Sequence, residues 1–290
     1  MEIHNGEVIL LSRIRIGTAG YPSGSKGQLE KVFDILTEAD LSALEYAAVH
    51  GLRTSKKRAS KIGELAKKHD ISMSIHGAYY ISLASKSDKT RRSSKDRLVK
   101  ALEFAPRMAV SRIVFHPGTY GGLPPREAHI VIKEALQEVW DIAGNGSETL
   151  LAPEIAGKIN SYGSVDEIVQ LCSELEGTVP TIDWAHLHAR RVGNFGTKQQ
   201  YLDVLTRFED ELGDLFVNNM HFHVSGIKFT DKGEAAHRPL GDKWGPDILP
   251  LMEIVDEVGY SPVIISESPD PLHGALYAKF LLEELQGAKS

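Results

Sequence analysis

Eight short β-like runs alternate with longer amphipathic runs along the whole chain, and this alternation restricts the possible folds more than any other feature. The strand-like runs are Ile14–Gly17, Ala43–Tyr46, Ile71–His76, Arg112–His116, Thr149–Glu154, Thr178–Asp183, Asn219–His223 and Pro262–Glu267. Between and after them, apolar residues at helical spacing mark Leu29–Leu36, Lys61–His69, Leu98–Met108, Ile130–Ile142, Val165–Leu175, Tyr201–Leu212, Ile248–Val258 and Ala275–Leu285. In a chain of 290 residues the unit recurs about every 36 residues. Strict alternation implies a parallel sheet, and eight such units favour a closed (β/α)₈ barrel, the TIM barrel of the α/β class, over an open doubly wound sheet. No G-x-G-x-x-G or P-loop pattern follows the first run, which argues against a nucleotide-binding open sheet. With no linker or low-complexity segment, residues 1–290 read as a single domain. The Gly/Ser/Pro-rich stretches at Tyr21–Gly27, Gly118–Pro125 and Arg191–Gly196 follow strands, where the loops of a barrel surround the active site.

Six consecutive strand candidates carry a metal-ligand residue type at or near their ends: His76, His116, Glu154, Asp183, His221 and Glu267. Any one of them would read as readily as a hydrogen-bonded core or surface residue. The series is harder to dismiss, because buried carboxylates are costly without partners and the strands of a parallel barrel converge their carboxyl ends on one face. Imidazoles mixed with carboxylates suit Zn²⁺, with Mn²⁺ or Fe²⁺ as alternatives, and one ion takes about four ligands, so six imply more than one ion. Further candidates are close by: His186 and His188 follow Asp183, and His223 and His237 flank the seventh-strand loop.

Composition excludes several classes. Cys172 is the single cysteine, so an intrachain disulfide or a cysteine-based zinc cluster is ruled out. The run Val8-Ile9-Leu10-Leu11 is far shorter than a signal-peptide core or a membrane span. The expectation is a cytoplasmic protein without membrane contact. A net charge of −6 argues against coating nucleic acid through bulk electrostatics and leaves room for a local basic rim.

The sequence resembles the endonuclease IV family within the xylose-isomerase-like barrel superfamily. The likeness spans roughly Ile71 to Pro269 and rests on His76-Gly77-Ala78-Tyr79-Tyr80-Ile81-Ser82-Leu83, His116-Pro117-Gly118, Glu154-Ile155-Ala156-Gly157-Lys158, Asp183-Trp184-Ala185-His186, Met220-His221-Phe222-His223, His237-Arg238-Pro239-Leu240-Gly241 and Glu267-Ser268-Pro269. It implies a zinc-dependent phosphodiesterase that cuts duplex DNA 5′ to an abasic site, leaves a 3′-hydroxyl and works as a monomer. The resemblance places one ion on His76, His116 and Glu154, and a second on Glu154, Asp183, His221 and Glu267. A third would lie on His186 and His237. Glu154 and Glu267 are then the catalytic carboxylates. Tyr79 and Tyr80 match the loop that opens the duplex, and Arg91, Arg92, Arg190 and Arg191 follow ligand-bearing strands, where DNA phosphates would lie.

The sequence departs from the family pattern in three places. The family's aspartate two residues before the third-site histidine is Ala235, with Glu234, His188 and His223 as the replacements at hand. The His-Val-Ser signature of the first strand is Thr18-Ala19-Gly20-Tyr21, and the asparagine and aspartate that follow the seventh-strand histidine are His223 and Val224. Glu154, Asp183, His221 and Glu267 would also suit a one-metal sugar isomerase or epimerase of the same superfamily, although His76 and His116 are then left over. A catalytically dead binding barrel is the remaining alternative.

Overall fold

Each strand-like run forms a strand in the computed structural model, which describes residues 2–4, 7–9, 14–241 and 243–288. The strands are β1 (Arg15–Ala19), β2 (Ala43–Ala47), β3 (Ser72–His76), β4 (Val110–Phe115), β5 (Leu150–Pro153), β6 (Ile182–Asp183), β7 (His221–Val224) and β8 (Val263–Ser266). All pair in parallel, in the order β5-β4-β3-β2-β1-β8-β7-β6. Bridges at Leu151–Thr178 and Glu154–Thr181 join β5 to the segment leading into β6, so the two edges of the sheet meet. Parallel closure leaves no edge to protect. The sixth strand is shorter than its sequence run because Pro180 has no N–H to contribute to a ladder.

Alternation along the strands divides the core into two. Side chains such as Leu44, Met73, Ile75, Ile113, Phe115, Leu151 and Phe222 are buried in the layer between strands and helices. A small separate cluster, Val114, Ala152 and Val179, packs elsewhere. Polar residues of the opposite parity, including Glu45, Ser74, His76, Arg112, His221 and His223, are also buried, which puts chemistry inside the barrel.

Helices extend beyond their apolar periodicity where polar caps start them early. Asp88–Phe104 begins at Ser87, whose side chain accepts from the Thr90 N–H, well before the first periodic residue Leu98. Lys56–Lys68 starts the same way at Ser55. Ser164 with Glu167 and Thr197 with Gln200 form capping boxes for Val165–Glu174 and Lys198–Leu212. Elements not expected among the described residues include the short antiparallel hairpin Glu2–His4/Glu7–Ile9, the helix Trp184–Arg190 directly after β6, the short helix Asp214–Val217, and the antiparallel hairpin Gly226–Thr230/Gly233–Arg238 after β7. Among the described residues no helix is long and apolar enough to cross a membrane.

Candidate metal centre

At the carboxyl ends of the strands lies a cavity of about 830 Å³ whose lining includes His76, His116, His186, His237, Glu45, Glu234 and Glu267. Glu154 is its buried hub. Glu154 Oε2 lies 3.3 Å from His76 Nε2 and 3.2 Å from His116 Nε2, and its Oε1 lies 3.1 Å from His223 Nδ1 and 3.3 Å from His186 Nδ1. Glu267 Oε1 is 3.5 Å from His223 Nδ1 and 3.7 Å from His76 Nε2, while its Oε2 is 3.6 Å from His237 Nε2. Asp183 ends β6 and caps the following helix: its Oδ1 accepts from the His186 N–H at 2.7 Å, and its Oδ2 faces His186 Nδ1 at 3.4 Å. One local motif, an aspartate cap with a histidine three residues on, therefore supplies two of the converging side chains.

Hydrogen-bond geometry shows what such a cage can hold. His76 Nδ1 lies 3.0 Å from the Gly77 carbonyl, which can only accept, so that nitrogen carries the hydrogen and the neutral ring turns a bare Nε2 toward Glu154 and Glu267. His186 Nδ1 likewise faces the Ile155 carbonyl at 3.1 Å, which leaves its Nε2 bare and 3.6 Å from Glu234 Oε2. A ring lone pair opposite a carboxylate is repulsive unless a cation, a proton or a metal ion, lies between them. Glu154 Oε2, Asp183 Oδ2 and His186 Nε2 are buried without a hydrogen-bond partner, which leaves them available as ligand atoms. Their ligand atoms fall into overlapping groups, each within 4.8 Å: His76, His116 and Glu154; Glu154, Asp183, His223 and Glu267; Asp183, His186, His237 and Glu267; and Glu45, His76, His223 and Glu267.

The titration behaviour reflects the same surplus of negative charge. Burial favours a neutral His76, but the Glu154 carboxylate beside its Nε2, with the charges of Glu267 and Glu45, outweighs it and raises the imidazole to about 9. Burial, opposed by His186 and reinforced by Glu154 and Glu267, pushes Asp183 up to about 6. Glu154 stays well below the usual carboxylate range, because His116, His223 and His186 overcome its burial. Burial prevails over neighbouring Glu154 at His116, which falls to about 4.

The structure brings His76, His116, Glu154, Asp183, His186, His237 and Glu267 together, but His221 does not reach this cluster. Both His221 and His223 face the barrel interior from β7, and the strand runs on to Val224. His223 pairs in register with Asp183, while His221 lies two residues deeper, about 6.6 Å along the strand, with Nε2 3.2 Å from Glu45 Oε2. The seventh-strand position expected of His221 is thus taken by His223. His188 is turned away, its Nδ1 against the Phe195 carbonyl. Glu45, fully buried on β2, was not anticipated, although a lone carboxylate in the apolar run Ala43–Ala47 was a legible signal.

The nucleic-acid candidates divide in the same way. Tyr79 and Tyr80 line the cavity and are 68% and 43% exposed, with the Arg97 guanidinium 4.5 Å above the Tyr80 ring. Arg91 pairs with Asp88 and lines a separate groove beside Lys95 and Glu138. Arg92 is exposed on the same helix, and Arg191 stacks over Phe195 at 5.2 Å. Arg190 is occupied internally: its Nη1 reaches the carbonyls of Ala156, Lys158 and Ser161 at 3.3, 2.7 and 3.0 Å, and its Nη2 reaches Tyr120 Oη. Lys158, held in that loop, is the one lysine or arginine among the described residues that line the cavity. Arg190→Ala should therefore lower unfolding stability by roughly 1–3 kcal/mol, the cost of stranding these carbonyls, and leave the salt dependence of any affinity for duplex DNA unchanged. An unaltered urea midpoint with a salt slope reduced by about one would instead identify Arg190 as a phosphate contact.

Comparison with known proteins places these features in context. Residues 33–285 match the family model described as xylose isomerase-like TIM barrel. An uncharacterized protein of Methanocaldococcus jannaschii is 29% identical over 266 residues, 91% of this chain and 94% of that one. A probable endonuclease 4 of Thermoplasma volcanium is 29% identical over 154 residues, covering 52% of this chain and 53% of the relative. Among solved structures, endonuclease IV from Thermus thermophilus superposes with a TM-score of 0.70 at 19% identity over 93% of this chain and 99% of that one. An L-ribulose 3-epimerase superposes at 0.69 with 12% identity over 95% and 97%. At these identities the structural likenesses speak for the fold alone.

Proposed function

Because the chain belongs to the xylose isomerase-like TIM barrel family, we propose that its pocket is the centre of a metal-dependent phosphodiesterase of the endonuclease IV type, cutting duplex DNA 5′ to abasic sites and leaving a 3′-hydroxyl. One observation carries this reading: the imidazoles and carboxylates form overlapping ligand groups that share Glu154 and Glu267, where a single-ion enzyme needs only one tetrad. His76, His116 and Glu154 would hold one ion, and Glu154, Asp183, His223 and Glu267 a second. His186 and His237 would anchor a third. The nitrogen and oxygen donors fit Zn²⁺, with Mn²⁺ or Fe²⁺ as alternatives. When bound, such ions supply Lewis acidity to water and to phosphate oxygens.

The chain's own residues supply orientation. Glu267, with its side chain 14% exposed at the cavity surface, would hydrogen-bond the attacking water, while the fully buried Glu154 would hold the surrounding imidazoles in place. Lys158 offers a positive charge to the phosphate at the cavity wall, and Tyr79 and Tyr80 stand at the lip, where aromatic side chains can fill the gap left by a missing base. The partially matching endonuclease 4 relative supports this assignment. A monomer acting on DNA without a membrane partner completes the proposal.

A second reading, a one-metal sugar epimerase, is favoured by the tetrad Glu154, Asp183, His223 and Glu267, which is compact by itself. Metal stoichiometry and substrate separate the two. Two or three ions per chain, with chelator-sensitive incision of a duplex carrying one abasic analogue, are expected. One ion per chain with conversion of a ketose and no incision would overturn the endonuclease reading. Replacing both Tyr79 and Tyr80 with alanine should weaken binding to that duplex by roughly 1–3 kcal/mol for each lost base–aromatic contact, with metal content unchanged. Unaltered duplex affinity in a gel-shift assay would leave the two tyrosines as rim packing.

A further inference from the structure

Beneath the proposed ligand cluster, the Glu45 carboxylate from β2 spans the barrel interior to both histidines of β7. Its Oε2 accepts from Ser74 Oγ at 2.7 Å and lies 3.2 Å from His221 Nε2, while its Oε1 lies 3.1 Å from His223 Nε2. Glu45 Oε1 and His223 Nε2 are both buried without a hydrogen bond of regular geometry, so each is left facing the other across this 3.1 Å contact. The opposite edge of the His223 ring, Nδ1, faces Glu154 Oε1 at 3.1 Å and Glu267 Oε1 at 3.5 Å. His223 is thus held between a carboxylate on the barrel floor and the carboxylates of the cavity, and its two nitrogens are given different tasks.

We propose that Glu45 is a positioning residue that keeps the hydrogen of His223 on Nε2 and thereby presents Nδ1 to the ion shared by Glu154, Asp183 and Glu267. The role rests on the metal centre proposed above and adds the group behind one of its ligands. A carboxylate that accepts from the distal nitrogen of a ligating imidazole sets its tautomer, fixes its ring plane and increases its basicity. Ser74 and His221 occupy Oε2, so Oε1 is the oxygen left for His223. His221, with Nε2 turned to Glu45 and Nδ1 buried without a partner, belongs to this supporting layer. Arg112 is buried in the same interior, its Nη1 bonded to the Asn219 carbonyl at 2.7 Å. Its charge acts on Glu45 and offsets part of the negative charge there.

The test is made on the zinc-loaded protein without nucleic acid. Nitrogen-15 histidine NMR should show His223 with its hydrogen on Nε2. Competition with a chromophoric chelator should show Glu45→Gln binding as many zinc ions as the parent, one of them about 10- to 100-fold more weakly, and Glu45→Ala should show a larger loss at the same ion. The visible spectrum of the Co²⁺-loaded variants should change in that ion's bands alone. A hydrogen on Nδ1 of His223 in the loaded protein, or unchanged affinities in Glu45→Gln, would overturn the proposal. So would the disappearance of a whole ion in Glu45→Gln, which would make Glu45 a ligand. Should Glu45→Ala not fold, the parent spectrum and Glu45→Gln decide the matter. A parent that binds zinc as described but leaves abasic duplex uncut removes the endonuclease reading and leaves this role intact, whereas a parent that binds no zinc removes both.

Discussion

Replacing Glu154 with alanine is expected to remove metal and activity together, with incision falling by about 10³-fold or more, while the barrel remains folded. The size follows from the several kcal/mol of transition-state stabilisation that a metal centre supplies, at about 1.4 kcal/mol per factor of ten. Glu154 is the residue on which His76, His116, His186 and His223 converge, and two of the overlapping ligand groups contain it. Its loss leaves two ligands in the group with His76 and His116, and three in the group with Asp183. The fold should survive because the main chain joins β5 to the segment before β6, the Thr181 N–H donating to the Pro153 carbonyl and the Ile155 N–H to the Thr181 carbonyl. Glu154→Gln separates charge from volume: the amide fills the same space without the negative charge and should lose metal nearly as completely. Elemental analysis and incision assays on both variants check this, with far-UV circular dichroism as the control for folding. Full metal content and near-parental incision in either variant would refute the shared-carboxylate centre.

Glu234→Ala is expected to loosen one ion specifically, by more than about 100-fold, since a direct ligand should outweigh the 10- to 100-fold effect typical of groups that only orient ligands. The motivation is a β-bulge. His237 pairs with Ile227 and Ala236 with Lys228, but Phe229 pairs with Glu234, so Ala235 is the extra residue of the hairpin. The bulge moves Glu234 into the position that Ala235 would hold in a regular ladder, and it lies 3.6 Å from the bare Nε2 of His186. Glu234 is therefore the carboxylate expected to serve where the family pattern has an aspartate. Gly157 makes room for it, because a Cβ there would lie 2.7 Å from Glu234 Cβ and 2.9 Å from His186 Cδ2. Gly157→Ala should therefore reproduce part of the Glu234→Ala effect by displacing the carboxylate. Chelator titration followed by metal analysis distinguishes the outcomes: indistinguishable release of every ion in parent and Glu234→Ala would remove Glu234 from the site.

Much of this molecule was legible without coordinates, because the features concerned are encoded locally. The eight strands and their helices follow from periodicities of two and 3.6 residues. The face on which His76, His116, Glu154, Asp183 and Glu267 meet follows from parallel strands all pointing their carboxyl ends one way. What escaped depends on register and on contacts across the barrel. His221 and His223 have the same parity on β7, and only pairing of His223 with Asp183 decides which of them stands at the level of the ligands. Glu45 acquires its role from two histidines some 176 residues away in the chain, a separation that no local pattern encodes. The bulge that exchanges Ala235 for Glu234 is a property of the hairpin ladder. Arg190 and Arg191 are adjacent in sequence, but one is drawn inward by three carbonyls and the other stacks on Phe195. Residue type and spacing determined which groups could do chemistry here. Tertiary packing alone decided which atoms face one another, because hydrogen bonds and ion contacts act over about 3 Å, within the roughly 6.6 Å that separates two same-facing residues of a strand.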